Sequence, residues 1–186
     1  KQSISTLRIN GMKGRMLYLK PPKNKKREIL LLYGHHASIE RMEGISLNMN
    51  KYGAVTLPDL PGFGGMDSFY KINRQPTLDN YADYLATFIK LRYKRKSLTI
   101  MAMSYSFPIT TRMLQKYPEI AKKVDMLIST VGFVHHDDFS LPRWQQLGLY
   151  YLGRIFERKP LALFMRHLML RKPFIKLSYM SVRSRH

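Results

Sequence analysis

Four short apolar runs constrain the fold more than any other feature of the chain. They are "REILLLYG" (Arg27–Gly34), "AVTLPDL" (Ala54–Leu60), "SLTIMAM" (Ser97–Met103) and "VDMLIST" (Val124–Thr130). Each is too short for a buried helix and rich in the residues that suit a pleated strand. Near-continuous rather than alternating apolarity marks strands covered on both faces, the situation of a parallel sheet. Parallel neighbours need long crossovers, and amphipathic stretches separate these runs. The pattern predicts an α/β fold built on a mostly parallel, doubly wound sheet of about six strands. The first two strands would be an opening hairpin, in which "STLRIN" and "RMLYLK" flank the turn "GMKG".

The crossovers read as helices. Ser38 to Tyr52 forms one, ending at Gly53, which suits a left-handed C-cap. Thr77 caps another, in which Leu78, Tyr81, Leu85, Phe88 and Ile89 recur at helical spacing through about Arg95. "SYSFPITTRMLQKYP" is a third, stopping near Pro118. Beyond "GFVHHDDFSLPR" the strand pattern ends. Residues 144–185 carry Leu, Met and aromatic positions at helical spacing among Arg and Lys, as two or three short amphipathic helices broken at Pro160 and Pro173. The expected organisation is a core over residues 1–134 and a helical segment over 135–186.

Composition narrows the function classes. No run approaches the length of a membrane-spanning helix, and the first residues lack the apolar core of a signal peptide. Without cysteine there is no disulfide and no thiolate metal site, which fits a cytoplasmic protein. The net charge is +20, concentrated in Lys23–Arg27, in Lys90–Lys96 and after Trp144, where Glu157 is the single acidic residue. One reading is a surface for an anionic membrane or nucleic acid; the other is a set of solvated charges at turns and helix ends. No helix-turn-helix, zinc or RNA-recognition signature accompanies the charge, which argues against a dedicated nucleic-acid enzyme.

Three loops follow the predicted parallel strands, at the sheet edge where open α/β folds place their sites. They are "YGHHAS" (Tyr33–Ser38), "PDLPGFGG" (Pro58–Gly65) and "AMSYS" (Ala102–Ser106). In the last, one serine separates a strand from a helix. A strand-to-helix turn that sharp requires small residues two before and two after its centre, and Ala102 and Ser106 meet that need. Ser104 is then either an exposed nucleophile over a helix N-terminus or a plain N-cap. "YGHHAS" lies where a loop N–H would complete an oxyanion hole. The backbone N–H of His35 would pair with that of Tyr105.

The ordered set "LLLYGHHAS", "LPDLPGFGGMDS" and "IMAMSYSFPI" resembles the α/β-hydrolase superfamily, in particular its lid-bearing serine esterase, lipase and peptidase-like branch. The resemblance runs from about Ile4 to Phe133. It implies Ser104 as nucleophile, His35 and Tyr105 as backbone oxyanion donors, and Asp59 to Gly64 as a structural turn. The basic segment from Trp144 would be a lid shaping an apolar acyl pocket. The implied activity is hydrolysis of an ester, thioester or amide of a small or lipid-like acyl group, with no metal or organic cofactor. The lid would be free to meet an anionic membrane surface.

The family orders its triad as serine, acid, histidine. Here the chain stops within the lid segment, before the two strands that would carry the acid and the histidine, and is expected to continue beyond His186. Asp137 or Asp138 is the alternative acid inside it. A non-catalytic protein of the same fold, binding anionic lipid or nucleic acid through the basic lid, is the rival reading. Two His-rich places have bland readings beside a metal site: His35-His36 as loop residues, and His135-His136-Asp137-Asp138 as a polar hinge.

Overall fold

The computed structural model describes residues 2–35, 37–94, 97–132 and 142–156, together with Phe164, His167, Arg171 and Pro173. It divides into two compact units, Lys1–Asp138 and Phe139–His186. The first holds six strands: β1 (Gln2–Ile9), β2 (Met12–Leu19), β3 (Glu28–Leu32), β4 (Ala54–Pro58), β5 (Leu98–Met103) and β6 (Val124–Thr130). Its helices are α1 (Ile39–Asn50), α2 (Leu78–Arg92), α3 (Ser106–Lys116) and the single turn α4 (Pro118–Ala121), with a 3₁₀ turn at Phe69–Ile72. The second unit contains α5 (Arg143–Phe156). The rest of the expected helical segment, Pro160 included, lies outside the described residues.

The sheet order is β1-β2-β4-β3-β5-β6. β3, β4, β5 and β6 run parallel, and β1 and β2 join as an antiparallel pair on the β4 edge. From β3 the chain crosses first to β4 on one side, then back to β5 on the other. Right-handed crossovers therefore place α1 on one face and α2 on the other. The step from β5 to β6 continues the second direction, so α3 joins α2, and the two helices pack together. This is the doubly wound arrangement. All five residues of β3 and all five of β4 are buried, as strands covered on both faces must be. β6, at the edge, is only half covered.

Two local expectations are corrected. The hairpin turn is Asn10-Gly11, not "GMKG": φ is 51° and 82° at the two residues, and Ile9 pairs with Met12. A two-residue hairpin turn with both φ values positive favours Asn-Gly, because its twist matches the strands. Gly14 lies inside β2, where the Met66 side chain fills the space a Cβ would need. Gly53 is not a left-handed cap either. α1 ends at Lys51 in right-handed geometry, and Gly53 is absent from the positive-φ residues. The Arg27 carbonyl, which accepts from the Ala54 N–H at 2.9 Å, occupies the place of its Cβ. Thr77 caps α2 as expected, accepting from the Asn80 N–H at 3.2 Å. Tyr81, Leu85, Phe88 and Ile89 are buried, whereas Leu78, in the first turn, is 41% exposed.

Candidate active site

The strand order reverses between β3 and β5, and the loops that leave those two strands diverge to opposite faces. The crevice between them is where an open α/β sheet accommodates a ligand. Gly34 and His35 follow β3 there, and Ser104 and Tyr105 follow β5.

Ser104 is held at φ 50°, a left-handed conformation that costs a residue with a Cβ about 1–2 kcal/mol. Its surroundings enforce it. The Ser104 N–H donates to Thr130 O at 3.0 Å, completing the ladder to β6, and its carbonyl accepts from the Phe107 N–H at 2.9 Å in the next element. Extended backbone becomes helix within three residues. Ala102 and Ser106, the small residues on either side, are fully buried. Gly34 is the third requirement, since a Cβ there would lie 2.9 Å from the Ser104 Cβ. The β3 loop thus reaches the serine only because it carries no side chain at that point. Tyr105, not Ser104, immediately precedes α3, and no side chain caps that helix. The N-cap reading of Ser104 therefore fails.

Ser106 does more than stay small. Its Oγ accepts the Met103 N–H at 2.8 Å and lies 3.0 Å from Leu32 O and 2.9 Å from Met103 O, to one of which it donates. One hydroxyl thereby lies within hydrogen-bond distance of the ends of both β5 and β3. Glycine at this position would lack that bond. Ser106→Ala leaves the Met103 N–H without its acceptor, and a loss of about 1–3 kcal/mol is expected in urea unfolding.

Aromatic rings wall the site. The His35 ring lies 5.1 Å from Phe63 and 5.8 Å from Tyr105, both edge to face. Behind them Tyr81 packs against Tyr105 at 5.7 Å and donates to Pro61 O at 3.0 Å, pinning the middle loop to α2. Burial raises the Tyr81 hydroxyl to about 12 and pushes the Tyr105 hydroxyl upward as well, so both stay neutral donors across the physiological range.

The middle loop is organised by Asp59, whose carboxylate is wholly buried. Oδ1 accepts from the Tyr33 hydroxyl at 2.9 Å. Oδ2 accepts from the Gly65 N–H at 2.7 Å and from Arg15 Nε at 3.0 Å. The Tyr33 oxygen in turn accepts the Leu60 N–H at 3.0 Å, and Tyr84 donates to Asp59 O at 2.9 Å. Burial first, and the adjacent carboxylate second, drive the Tyr33 hydroxyl far above its ordinary value. Gly64, at φ 55°, leaves open the space that the Asp59 carboxylate occupies. All of the carboxylate's partners are structural, and it holds the loop beside the crevice.

Arg15 extends this network to α1 through Glu40, at 2.7 Å. The hydrogen bond from Arg15, helped by one from Ser38, holds the Glu40 carboxyl at about 2, below its ordinary 4.5. A lowered folded-state value adds stability above pH of about 4.5, and that stability is lost as the pH falls through about 2. Glu40 is 59% exposed, so solvent screening keeps the contribution under about 1 kcal/mol. Over that window the urea midpoint of Glu40→Gln is expected to fall less than that of the parent chain.

The structure thus brings together Ser104, Tyr105, Gly34 and His35. Asp137 and Asp138, the alternative acids, lie outside the described residues, as do His36, His135, His136 and His186. Among the described residues no three His, Asp or Glu side chains converge as metal ligands, and no helix is long and apolar enough to cross a membrane.

No protein-family model matches this sequence, and no curated protein does. Solved structures do resemble the fold. A deformylase from Pseudomonas putida shares 17% identity at a TM-score of 0.57, over 68% of this chain and 46% of its own. A membrane phospholipase A described as a bacterial virulence factor shares 20% at 0.58, over 71% and 41%. A loop variant of the haloalkane dehalogenase DbeA from Bradyrhizobium elkanii shares 20% at 0.58, over 73% and 41%. The chain spans less than half the length of each. With the sheet order and the strained strand-to-helix turn, these likenesses define the architecture: the chain has the α/β-hydrolase fold.

Proposed function

We propose that the chain is a serine hydrolase acting on an ester, thioester or amide of a small or lipid-like acyl group. The observation that carries this reading is Ser104 at positive φ in the crevice, with Gly34 close against it. Strain of that kind presents a hydroxyl above the sheet, and a serine oxygen there suits acyl transfer. Ser104 Oγ attacks the carbonyl carbon as its proton passes to an imidazole base. The N–H groups of His35 and Tyr105 stabilise the oxyanion of the tetrahedral intermediate. Collapse expels the alcohol, thiol or amine, which takes up the proton, and leaves Ser104 acylated. Water then attacks the acyl-enzyme, releases the acid and restores the hydroxyl. This chemistry needs no metal or organic cofactor. Asp137 or Asp138 is the candidate acid within the chain, and the helical segment from Trp144 is the candidate lid over the acyl pocket. The apolar wall of Phe63 and Tyr105, and the phospholipase among the similar structures, support a lipid-like acyl group.

Intact mass after treatment with a fluorophosphonate probe tests the proposal. Labelling of this chain that is lost in Ser104→Ala places the imidazole base within the 186 residues. Labelling confined to a longer product of the reading frame places it after His186. Absence of labelling in a folded longer product overturns the hydrolase reading and favours a binding protein of the same fold.

A further inference from the structure

We propose that α5 is a docking helix for an anionic lipid bilayer, lying in the plane of the headgroups. This inference stands independently of the chemistry proposed at Ser104. Trp144, Leu147, Tyr151 and Ile155 follow one another at i, i+3, i+7 and i+11, and so form one line along the helix. All four are open to solvent, at 71%, 51%, 62% and 50%. Arg143, Gln146, Tyr150 and Arg154 repeat the same spacing one residue earlier, which places them alongside, about 100° around the axis. Leu152, also exposed, widens the apolar line on its other side, and Leu149 lies outside both.

Apolar and aromatic residues bordered by arginines are the pattern of a helix that lies at a membrane interface rather than crossing it. Trp and Tyr suit the headgroup level, where the ring is buried and its polar atom stays wet. Arginine reaches from that boundary to phosphate. Charge selects the occupant. α5 has no acidic residue, and from Arg143 to His186 the sequence has Glu157 alone against ten Lys and Arg. An apolar protein groove would not call for that balance, whereas an anionic leaflet attracts it.

The chain carries its own probe, because Trp144 is its single tryptophan. The experiment titrates the full chain with vesicles of phosphatidylcholine alone and with vesicles containing phosphatidylglycerol, reading Trp144 emission and co-sedimentation. The expected result is a blue shift and sedimentation with the anionic vesicles only, reversed by about 0.5 M sodium chloride. Arg143→Gln with Arg154→Gln, both at exposed positions, is expected to weaken partitioning about thirtyfold, near fivefold for each charge. Leu147→Ser with Ile155→Ser should abolish the shift while circular dichroism stays unchanged. Equal shifts on both vesicle types overturn the proposal, as does sedimentation without a shift, which would assign binding to other basic runs such as Lys23–Arg27. A shift produced by a single-stranded RNA oligomer and not by vesicles also overturns it, in favour of a nucleic-acid surface.

Discussion

Asp59→Ala is expected to lower the stability of the folded chain by about 3–5 kcal/mol, a large share of the about 5–15 kcal/mol that a folded domain holds. The carboxylate is fully buried, and its removal affects several groups at once. The buried Tyr33 hydroxyl and the N–H of Gly65, an exposed residue, both lose their acceptor. Arg15 keeps Glu40 and is 35% exposed, which moves the expectation toward the lower end of that range. In urea the midpoint should fall by about 1–3 M at unchanged slope. Tyr33→Phe removes a bond to Asp59 Oδ1 and the acceptor of the Leu60 N–H. Both substitutions act on one network, so the double variant should cost less than the sum of the two. A catalytic acid at this position would behave differently, losing turnover with little change in midpoint. An Asp59→Ala chain whose urea midpoint matched the parent would overturn the structural role.

How far such features could be read in advance depended on the range of the interactions behind them. The buried strands were legible because burial on both faces writes a continuous apolar run. β3 and β4 are buried along their whole length. The strand-to-helix turn at Ser104 was legible because its demand falls on the residues two positions before and two after it, and Ala102 and Ser106 satisfy it within one pentapeptide. The hairpin turn was misplaced although its signal was present. Asn10-Gly11 carries the two positive φ values that "GMKG" was expected to supply, and Gly14 serves the packing of Met66 instead. Gly53 followed the same logic in reverse: a glycine after a helix suggested a cap, but the carbonyl of Arg27, just before β3, was the cause. The Asp59 network could not be read at all. Its partners Arg15 and Tyr33 stand 44 and 26 residues away, and no local pattern links them. The hydroxyl of Ser106 was read only as a small side chain, because its approach to Leu32 O, at 3.0 Å, spans 74 residues.

Two replacements at Ser104 should have the same effect on catalysis and opposite effects on stability. On the mechanism proposed above, loss of the Ser104 hydroxyl is expected to lower kcat by about a millionfold with KM little changed, since Oγ would form its bond only on the way to the transition state. A residual of about a thousandfold over water would remain, supplied by the proposed oxyanion donors. Ser104→Ala and Ser104→Gly should be equal in this respect. They differ in backbone cost. At φ 50° alanine keeps the Cβ and its strain, whereas glycine adopts the left-handed region freely. Ser104→Gly should therefore gain about 1 kcal/mol in urea unfolding, less the extra chain entropy that glycine brings to the unfolded state. A stabilised, inactive Ser104→Gly beside an unstabilised, inactive Ser104→Ala would show strain held in the fold for the sake of the hydroxyl. Active variants would leave the geometry standing and remove the nucleophile from it. Loss of stability in Ser104→Gly would mean that the left-handed turn is relaxed in solution, and with it the case for an exposed serine above the sheet.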